Sequence, residues 1–317
     1  MGSAGLAFCL GGLFVFRSLQ KTADLSDEMV WLPSAEFLMG SDRGMPDEAP
    51  AHPVALDGYW IDQYEVTNAE YQTFVAATGY LTVAERNGDG MVFDNAHMAS
   101  TTPLPWWRLE KGVAWDRPQG ATAKPTDFDQ HPVVQVAFED AQAYCHWQNK
   151  ELPTEAQFEY AARGGREGQI YSWGNQPVQN TNPVSNTWQG TFPIDNQALD
   201  GYLTTAPVGS FPANDFKLYD ITGNVWEWVS DWYHPRYYEF GPTTNPTGVT
   251  QDQSIDPAEP AIPKRIIRGG SFLCADNYCA GFRVSARMPA DPHTSTNHTG
   301  FRCAANSSWL DRLVMEW

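Results

Sequence analysis

The chain is short of cysteine, of positive charge and of long apolar runs. Five cysteines in 317 residues do not make a disulfide-built scaffold. Twenty basic residues against 38 acidic ones leave a net charge of −18, which repels a phosphate backbone and excludes nucleic acid as a partner. The acidity either solubilises the surface or also supplies oxygen ligands for hard cations and a field that attracts basic peptides. The N-terminal apolar run, residues 4–16 (AGLAFCLGGLFVF), falls short of the roughly 20 residues of a membrane span. It has the length of a signal-peptide core, yet no Lys or Arg precedes it and no small-x-small site occurs before FRSLQK. Residues 1–28 are therefore read as an atypical export signal or anchor with its linker, against a poorly ordered or misassigned start. Membrane contact is expected only if this run is an anchor. An exported, periplasmic or membrane-anchored protein is favoured over a cytoplasmic one, and nothing speaks to the oligomeric state. There is no internal repeat.

Rings and glycines are abundant. Thirteen Trp and 26 Gly, with 42% apolar residues, predict irregular, loop-rich packing around bulky side chains. MVWLPSAEFLMGS and HPVALDGYWIDQYEVT read as strands bounded by Gly and Pro. A helix comes next in TNAEYQTFVAATGY, with Thr67 and Glu70 as a capping box and Gly79 as its stop. From about residue 81 to 130 no period is visible, and a long packed loop is expected. VAFEDAQAYCHWQNK has helical apolar spacing, and LPTEAQFEYAARGG repeats the box at Thr154 and Gln157 before Gly164. From Tyr171 on, YSWGN, TAPVGSFPAN, GNVWEWVSDWY and RIIRGGSF read as short strands and loops. Residues 241–263 read as an insertion loop, because the remaining C-terminal stretch is too short to fold as a second domain. The expectation is one α+β domain over residues 29–305, poor in regular structure, with a tail at 306–317.

The stretch GGSFLCADNYC holds two cysteines, Cys274 and Cys279. On their own they are open to four readings: a short structural disulfide, part of a metal site, a reactive pair, or an accident of composition. Zinc normally takes four ligands as two close pairs, and no second pair exists.

The blocks WLPSAEFLMGS, IDQYEVTNAEYQTF, HPVVQVAFEDAQAYCHWQNKELPTEAQFEYAARGG, YSWGN, NTWQGTFP, LYDITGNVWEWVSDWY, RIIRGGSFLC and HTGFRCAA occur in that order. Together they resemble the formylglycine-generating enzyme (sulfatase-modifying factor) family over most of the chain. The resemblance implies an irregular α+β fold like that of C-type lectins. It also implies a copper-dependent oxidation, by O₂, of a cysteine in a sulfatase-type Cys-x-Pro-x-Arg peptide to formylglycine. It places the active-site pair on Cys274 and Cys279, which as soft thiolates suit Cu(I) in a low-coordinate site. Ser271 matches the family's active-site serine. Tyr278, Arg287, Trp226 and His298 match substrate-side positions, although Arg287 also reads as an ordinary ion-paired arginine, Trp226 as core and His298 as a packed loop histidine. Structural Ca²⁺ is implied at Asp220, Gly223, Val225 and Glu227, with a second site at Asn186, Thr187, Asp200 and Tyr202; capped turns without metal are the alternative. Cys145 and Cys303 match a disulfide of some members. Ala162 and Val284 stand where another bridge would have its sulfurs. The family often carries His-Glu or His-Arg after the first cysteine, where this chain has Ala275-Asp276.

Two other functions compete. One is a non-catalytic lectin-like or protein-binding module, which would have no use for both thiols. The other is a copper oxidase acting on a different cysteine-bearing substrate. A three-histidine iron site of the kind used by a sulfur-oxidising branch is disfavoured, since none of the seven histidines shows helical ligand spacing.

Overall fold

Helix boundaries in this protein follow side-chain chemistry. In the computed structural model, which describes residues 29–95, 105–120, 124, 126–178 and 183–307, Asn68–Thr78 (α1) begins on Thr67. The Thr67 hydroxyl accepts from the Glu70 N–H, and the Glu70 carboxylate accepts the Thr67 N–H at 2.7 Å. Gly79 ends the helix at φ +69°, where a side chain would be strained. Phe138–Trp147 (α3) and Glu155–Arg163 (α4) obey the same logic, with Thr154, Gln157 and Gly164 capping the latter.

The stretch expected to be one long loop is more ordered than that. It contains the helix Val83–Asn87 (α2), capped by Thr82, Glu85 and Gly88, and an antiparallel pair of strands, Asp89–Phe93 (β5) and Trp107–Lys111 (β6). The cap signature of α2 is present in the sequence but opens barely one turn. The strand pair has no tight-turn signal, because its partners lie far apart along the chain. YSWGN and TAPVGSFPAN contribute no strand. The first is a turn closed by paired N–H···O bonds between Tyr171 and Gly174 at 3.0 and 3.1 Å. The 241–263 segment remains irregular, pinned to a sheet edge by bonds of Ala55 with Thr243 and Asn245. The apolar run 4–16 and residues 308–317 lie outside the described residues.

Met29–Leu32 (β1), Tyr59–Asp62 (β4) and Ala304–Asn306 (β11) form an antiparallel three-stranded sheet in the order β1-β4-β11. Ala35–Met39 (β2) pairs with His52–Leu56 (β3). The sheet that carries the site runs β10-β7-β8-β9. Its strands are Trp226–Trp232 (β7), Arg265–Arg268 (β8), Arg287–Ala290 (β9) and Thr299–Gly300 (β10), with β10 parallel to β7. The result is a single domain with little regular structure.

Because so few carbonyls lie in ladders, buried arginines serve many of them. Arg302 donates to the carbonyls of Asp62, Gln63 and Tyr219 while pairing with Glu227 at 2.7 Å. Arg268 reaches the carbonyls of Val284 and Ser285 and pairs with Glu159 at 2.6 Å. The family resemblance puts Arg287 at the cleft. Instead its fully enclosed guanidinium grips Glu155 twice at 2.7 Å and reaches the carbonyls of Asp47 and His234. Placed so, it ties α4 to the carbonyls of two remote segments.

Cys145 on α3 and Cys303 beside β11 are joined, with an S–S distance of 2.01 Å and a sequence separation of 158. A bridge closing so long a loop contributes up to about 5 kcal/mol in the chain-entropy model. Ala162 and Val284 sit buried in one apolar cluster, packed as hydrocarbon where a second bridge would have its sulfurs.

Asp231 caps the start of α4 by accepting the Glu155 N–H at 2.8 Å. Burial and the neighbouring Glu155 charge push its pKa up to about 7. A carboxyl that holds its proton more tightly when folded stabilises fully below its unfolded pKa, near 4, and that contribution fades as pH rises through about 7. Thermal melts of Asp231→Asn should therefore show a flatter decline between pH 5 and 8 than wild type, with the variant gaining relative stability at the alkaline end.

Candidate active site

Strand β8 runs straight into Gly269 and Gly270, both with positive φ (+88° and +77°). A Cβ on Gly270 would sit 2.6 Å from the backbone of Gly281 and Phe282, so the two arms of the loop touch there. Between the arms lie Cys274 and Cys279. The Cys274 N–H donates to the Ser271 carbonyl at 2.8 Å, and the Cys279 N–H to the Ala275 carbonyl at 2.9 Å. This one-turn coil folds the second sulfur back onto the first. Trp188 clamps the loop from outside, its N–H on the Cys274 carbonyl at 3.0 Å.

Both thiols are reduced. Cys274 is buried, Cys279 is partly exposed, and their sulfurs are hydrogen-bonded to one another. The environment splits their acidity. Burial, and then the neighbouring sulfur, push Cys274 well up. The bond from Cys274 pulls Cys279 down, helped by the Gly281 N–H and the Arg283 charge. Cys279 is thus the sulfur that ionises first, with Cys274 as its donor. Two adjacent soft donors, one of them partly exposed, fit Cu(I).

Trp226 stands against this pair. A Cβ on Gly281 would lie 2.5 Å from its ring and 3.0 Å from the Cys274 sulfur, so the glycine lets ring, backbone and sulfur meet. Ser271 is fully buried, its hydroxyl oxygen accepting the Leu273 N–H at 3.3 Å. Tyr278 is half exposed and stacks on Phe192 at 4.1 Å, with Trp106 edge-on at 5.8 Å. Tyr171 and Trp173, stacked at 4.8 Å, pack with Phe282 against the same cluster as Cys279. His298 is buried, with its ring 4.8 Å from Trp107 and its Nδ1 bonded to the Thr296 hydroxyl at 3.0 Å. Desolvation depresses its pKa to about 3, so it is a neutral imidazole at any physiological pH. Trp106, Phe192, Trp173 and Gly281 carry no signal of a site role in the sequence. Their roles come from contacts between distant segments.

The oxygen-rich loops lie behind this wall. Asn186 is buried and its Oδ1 has no hydrogen-bond partner, while its amide donates to the Thr204 carbonyl at 2.8 Å. Asp200 folds onto the Thr187 and Tyr202 N–H groups at 3.1 and 3.0 Å. An orphaned oxygen beside a carboxylate and loop carbonyls fits a hard cation such as Ca²⁺. At the other loop Asp220 accepts the Gly209 N–H at 2.6 Å, and burial raises its pKa to about 6. Glu227 is paired through both oxygens with Arg302 at 2.7 and 2.9 Å. Glu65, which no sequence pattern marks, is buried beside these two carboxyls, and its pKa is raised by burial and by their charges. The three carboxyls share the Arg302 guanidinium, and both oxygens of Glu227 are committed to it.

A family model described as "Sulfatase-modifying factor enzyme 1-like domain" matches residues 15–307. The chain is 45% identical to the formylglycine-generating enzyme of Streptomyces coelicolor, covering 87% of this chain and 88% of that relative. It is also 35% identical to a Bos taurus protein named an inactive C-alpha-formylglycine-generating enzyme 2, covering 88% of each. Among solved structures, PvdO from Pseudomonas aeruginosa superposes with a TM-score of 0.62 at 27% identity, over 88% of this chain and 94% of that one. Both active and inactive relatives are similar to this chain, so the site residues carry the functional argument.

Gly281→Ala keeps an ordinary backbone but pushes a methyl between the Trp226 ring and the Cys274 sulfur. Competition titration with a Cu(I) chelator should show affinity falling at least about tenfold, while the melting curve stays cooperative. Unchanged affinity would mean that this packing does not set the sulfur positions.

Proposed function

Because the chain belongs to the formylglycine-generating enzyme (sulfatase-modifying factor) family, we propose that it oxidises a cysteine of a sulfatase-type peptide to formylglycine, using O₂ and a Cu(I) ion held by Cys274 and Cys279. One observation carries the reading. The two thiols are free and adjacent, and Cys279 is partly exposed beside an aromatic cluster that includes Tyr171 and Trp173. A structural disulfide would consume both sulfurs, and a binding module has no need of either.

The residues divide the work. Cys279 gives up its proton first, and Cys274 holds its own until a cation replaces it. Binding therefore releases protons and tightens as pH rises. Bound copper would hold the substrate thiolate and carry electrons to dioxygen. Trp226 and the neighbouring rings shield the Cys274 sulfur from water, while Cys279 stays partly exposed. Ser271 lies in the same turn as Cys274, and its hydroxyl is the polar group of this wall suited to orient an oxygen species. Tyr278 flanks the entry, stacked on Phe192. Neutral His298 supports the far wall without adding charge. The balance is RCH₂SH + O₂ + 2e⁻ + 2H⁺ → RCHO + H₂S + H₂O, with an external thiol as reductant. Ca²⁺ in the Asn186–Tyr202 loop, with the Asp220–Glu227 loop as the second candidate, would stiffen the scaffold without joining the chemistry.

The test loads reduced protein with Cu(I) and adds a Cys-x-Pro-x-Arg peptide under air. The peptide should lose about 18 Da, the change from thiol to aldehyde, and Cys279→Ser should abolish turnover. Equal behaviour of wild type and variant would refute the reading. Activity should also rise from neutral to alkaline pH, since a thiol must ionise to bind metal.

Calcium is checked separately by melting. Excess Ca²⁺ should raise the Tm of chelator-treated protein, on the order of 2.7 kcal/mol of stabilisation at a hundredfold excess over Kd. Asp200→Ala should remove most of that response. A Tm indifferent to Ca²⁺ would dismiss the ion.

A further inference from the structure

Between β3 and β4 the chain turns through Asp57 and Gly58. There it meets the irregular 241–263 segment, the first turn of α4 and the end of β11 around a cavity of about 260 Å³. No lining residue belongs to the thiol turn or to the rings around it. The volume lies near the lower end of the roughly 300–1,000 Å³ range of ligand clefts, which suits one ring-sized unit better than an extended chain.

The lining is polar and nearly neutral. Asp57 is its one charged residue, and no Lys, Arg or His takes part. Its polar groups are held by the fold with capacity left over. The Asp57 N–H donates to Asn245 Oδ1 and the Asn245 amide donates to Asp57 Oδ2, both at 2.9 Å, which leaves Asp57 Oδ1 to accept. Gln157 Oε1 accepts the Thr154 N–H at 2.8 Å, which leaves the Gln157 amide hydrogens to donate. Thr247 is exposed, and its hydroxyl can do either. Tyr59 is buried and its hydroxyl donates to the Gln157 carbonyl at 2.6 Å, tying β4 to α4. An indole borders the cavity. A Cβ on Gly58, itself a lining residue, would lie 2.5 Å from the Trp31 ring, so the glycine lets that ring lie against the edge. Trp31 is 41% exposed, with Trp60 beside it at 5.4 Å.

We infer that this cavity binds a neutral saccharide unit, with Trp31 as its platform and Asp57, Gln157 and Thr247 as the partners of its hydroxyls. A sugar hydroxyl both donates and accepts, so it is matched by a fixed acceptor, a fixed donor and a rotatable hydroxyl side by side. The C–H face of a sugar ring covers an indole, whose body is apolar. An anionic ligand would meet a carboxylate, no cation and a chain of net charge −18. A basic group would find a single carboxylate, already half engaged by Asn245. A wholly apolar ligand would strand the polar lining. The inference does not depend on the proposed oxidation.

Saturation-transfer NMR and calorimetry on the intact protein test it, with methyl α-mannopyranoside, methyl β-galactopyranoside and N-acetylglucosamine as probes. At least one should bind with a millimolar Kd, its ring C–H protons taking up saturation, and glucuronate should bind more weakly than that sugar. Trp31→Ala should weaken binding at least about tenfold, and Trp31→Tyr should restore most of it. Asp57→Ala and Thr247→Val should each weaken it severalfold. Thr247 is at an exposed loop position, so that variant still reports if Trp31→Ala fails to give a cooperative melt. Silence from all three sugars overturns the inference, and so does an affinity unmoved by Trp31→Ala and Thr247→Val. Cys279→Ser should bind the sugar as wild type does, so loss of oxidation and loss of sugar binding are read separately.

Discussion

A chain with few ladders has to find partners for its loop carbonyls somewhere, and here buried guanidinium groups provide them. Arg302, Arg268 and Arg287 each combine a carboxylate partner with two or more backbone carbonyls from remote segments. An unpaired buried carbonyl or charge is costly, so each arginine is compulsory once its loops close around it. Removing one would strand a carboxylate and several carbonyls together. Irregular architecture and buried charge are thus two sides of one solution.

The same network fixes the site. Arg268 ends β8, the strand that feeds Gly269 and the thiol turn, and its donors reach Val284 and Ser285 on the outgoing arm. Arg283 on that arm is held by Glu48, which also accepts from the Ser285 hydroxyl at 2.7 Å. Both arms are therefore anchored in the interior, and the sulfurs meet at the tip. The disulfide between Cys145 and Cys303 lies in the apolar cluster that also holds Cys274, with Cys279 packed against it; the bridge is fully buried while Cys279 is partly exposed. Aromatic rings separate these two kinds of sulfur chemistry within one core.

How much of this is legible in the sequence varies by element. Thr67, Glu70 and Gly79, or Thr154, Gln157 and Gly164, announce a helix because capping involves residues three or four apart. The pair β5–β6 gives no such notice, because its hydrogen bonds join segments distant in sequence. Cys274 and Cys279 are visible as a pair, and so are Asn186 and Asp200. Glu65 is not, since its only distinction is where β4 leads the chain: beside Asp220 and Glu227. Gly281 likewise looks ordinary in the text of the sequence and matters because Trp226, from another strand, leaves room for nothing larger.

Residue order alone determined the helix ends, the family blocks and the presence of two thiols five positions apart, since each depends on neighbours along the chain or on direct pattern. Only the folded chain decided that Cys279 ionises before Cys274, that His298 stays neutral, and that Arg287 faces Glu155 rather than solvent. Those outcomes depend on desolvation and on charges from remote strands. Such quantities are sums over three-dimensional surroundings, and no local stretch of residues contains them.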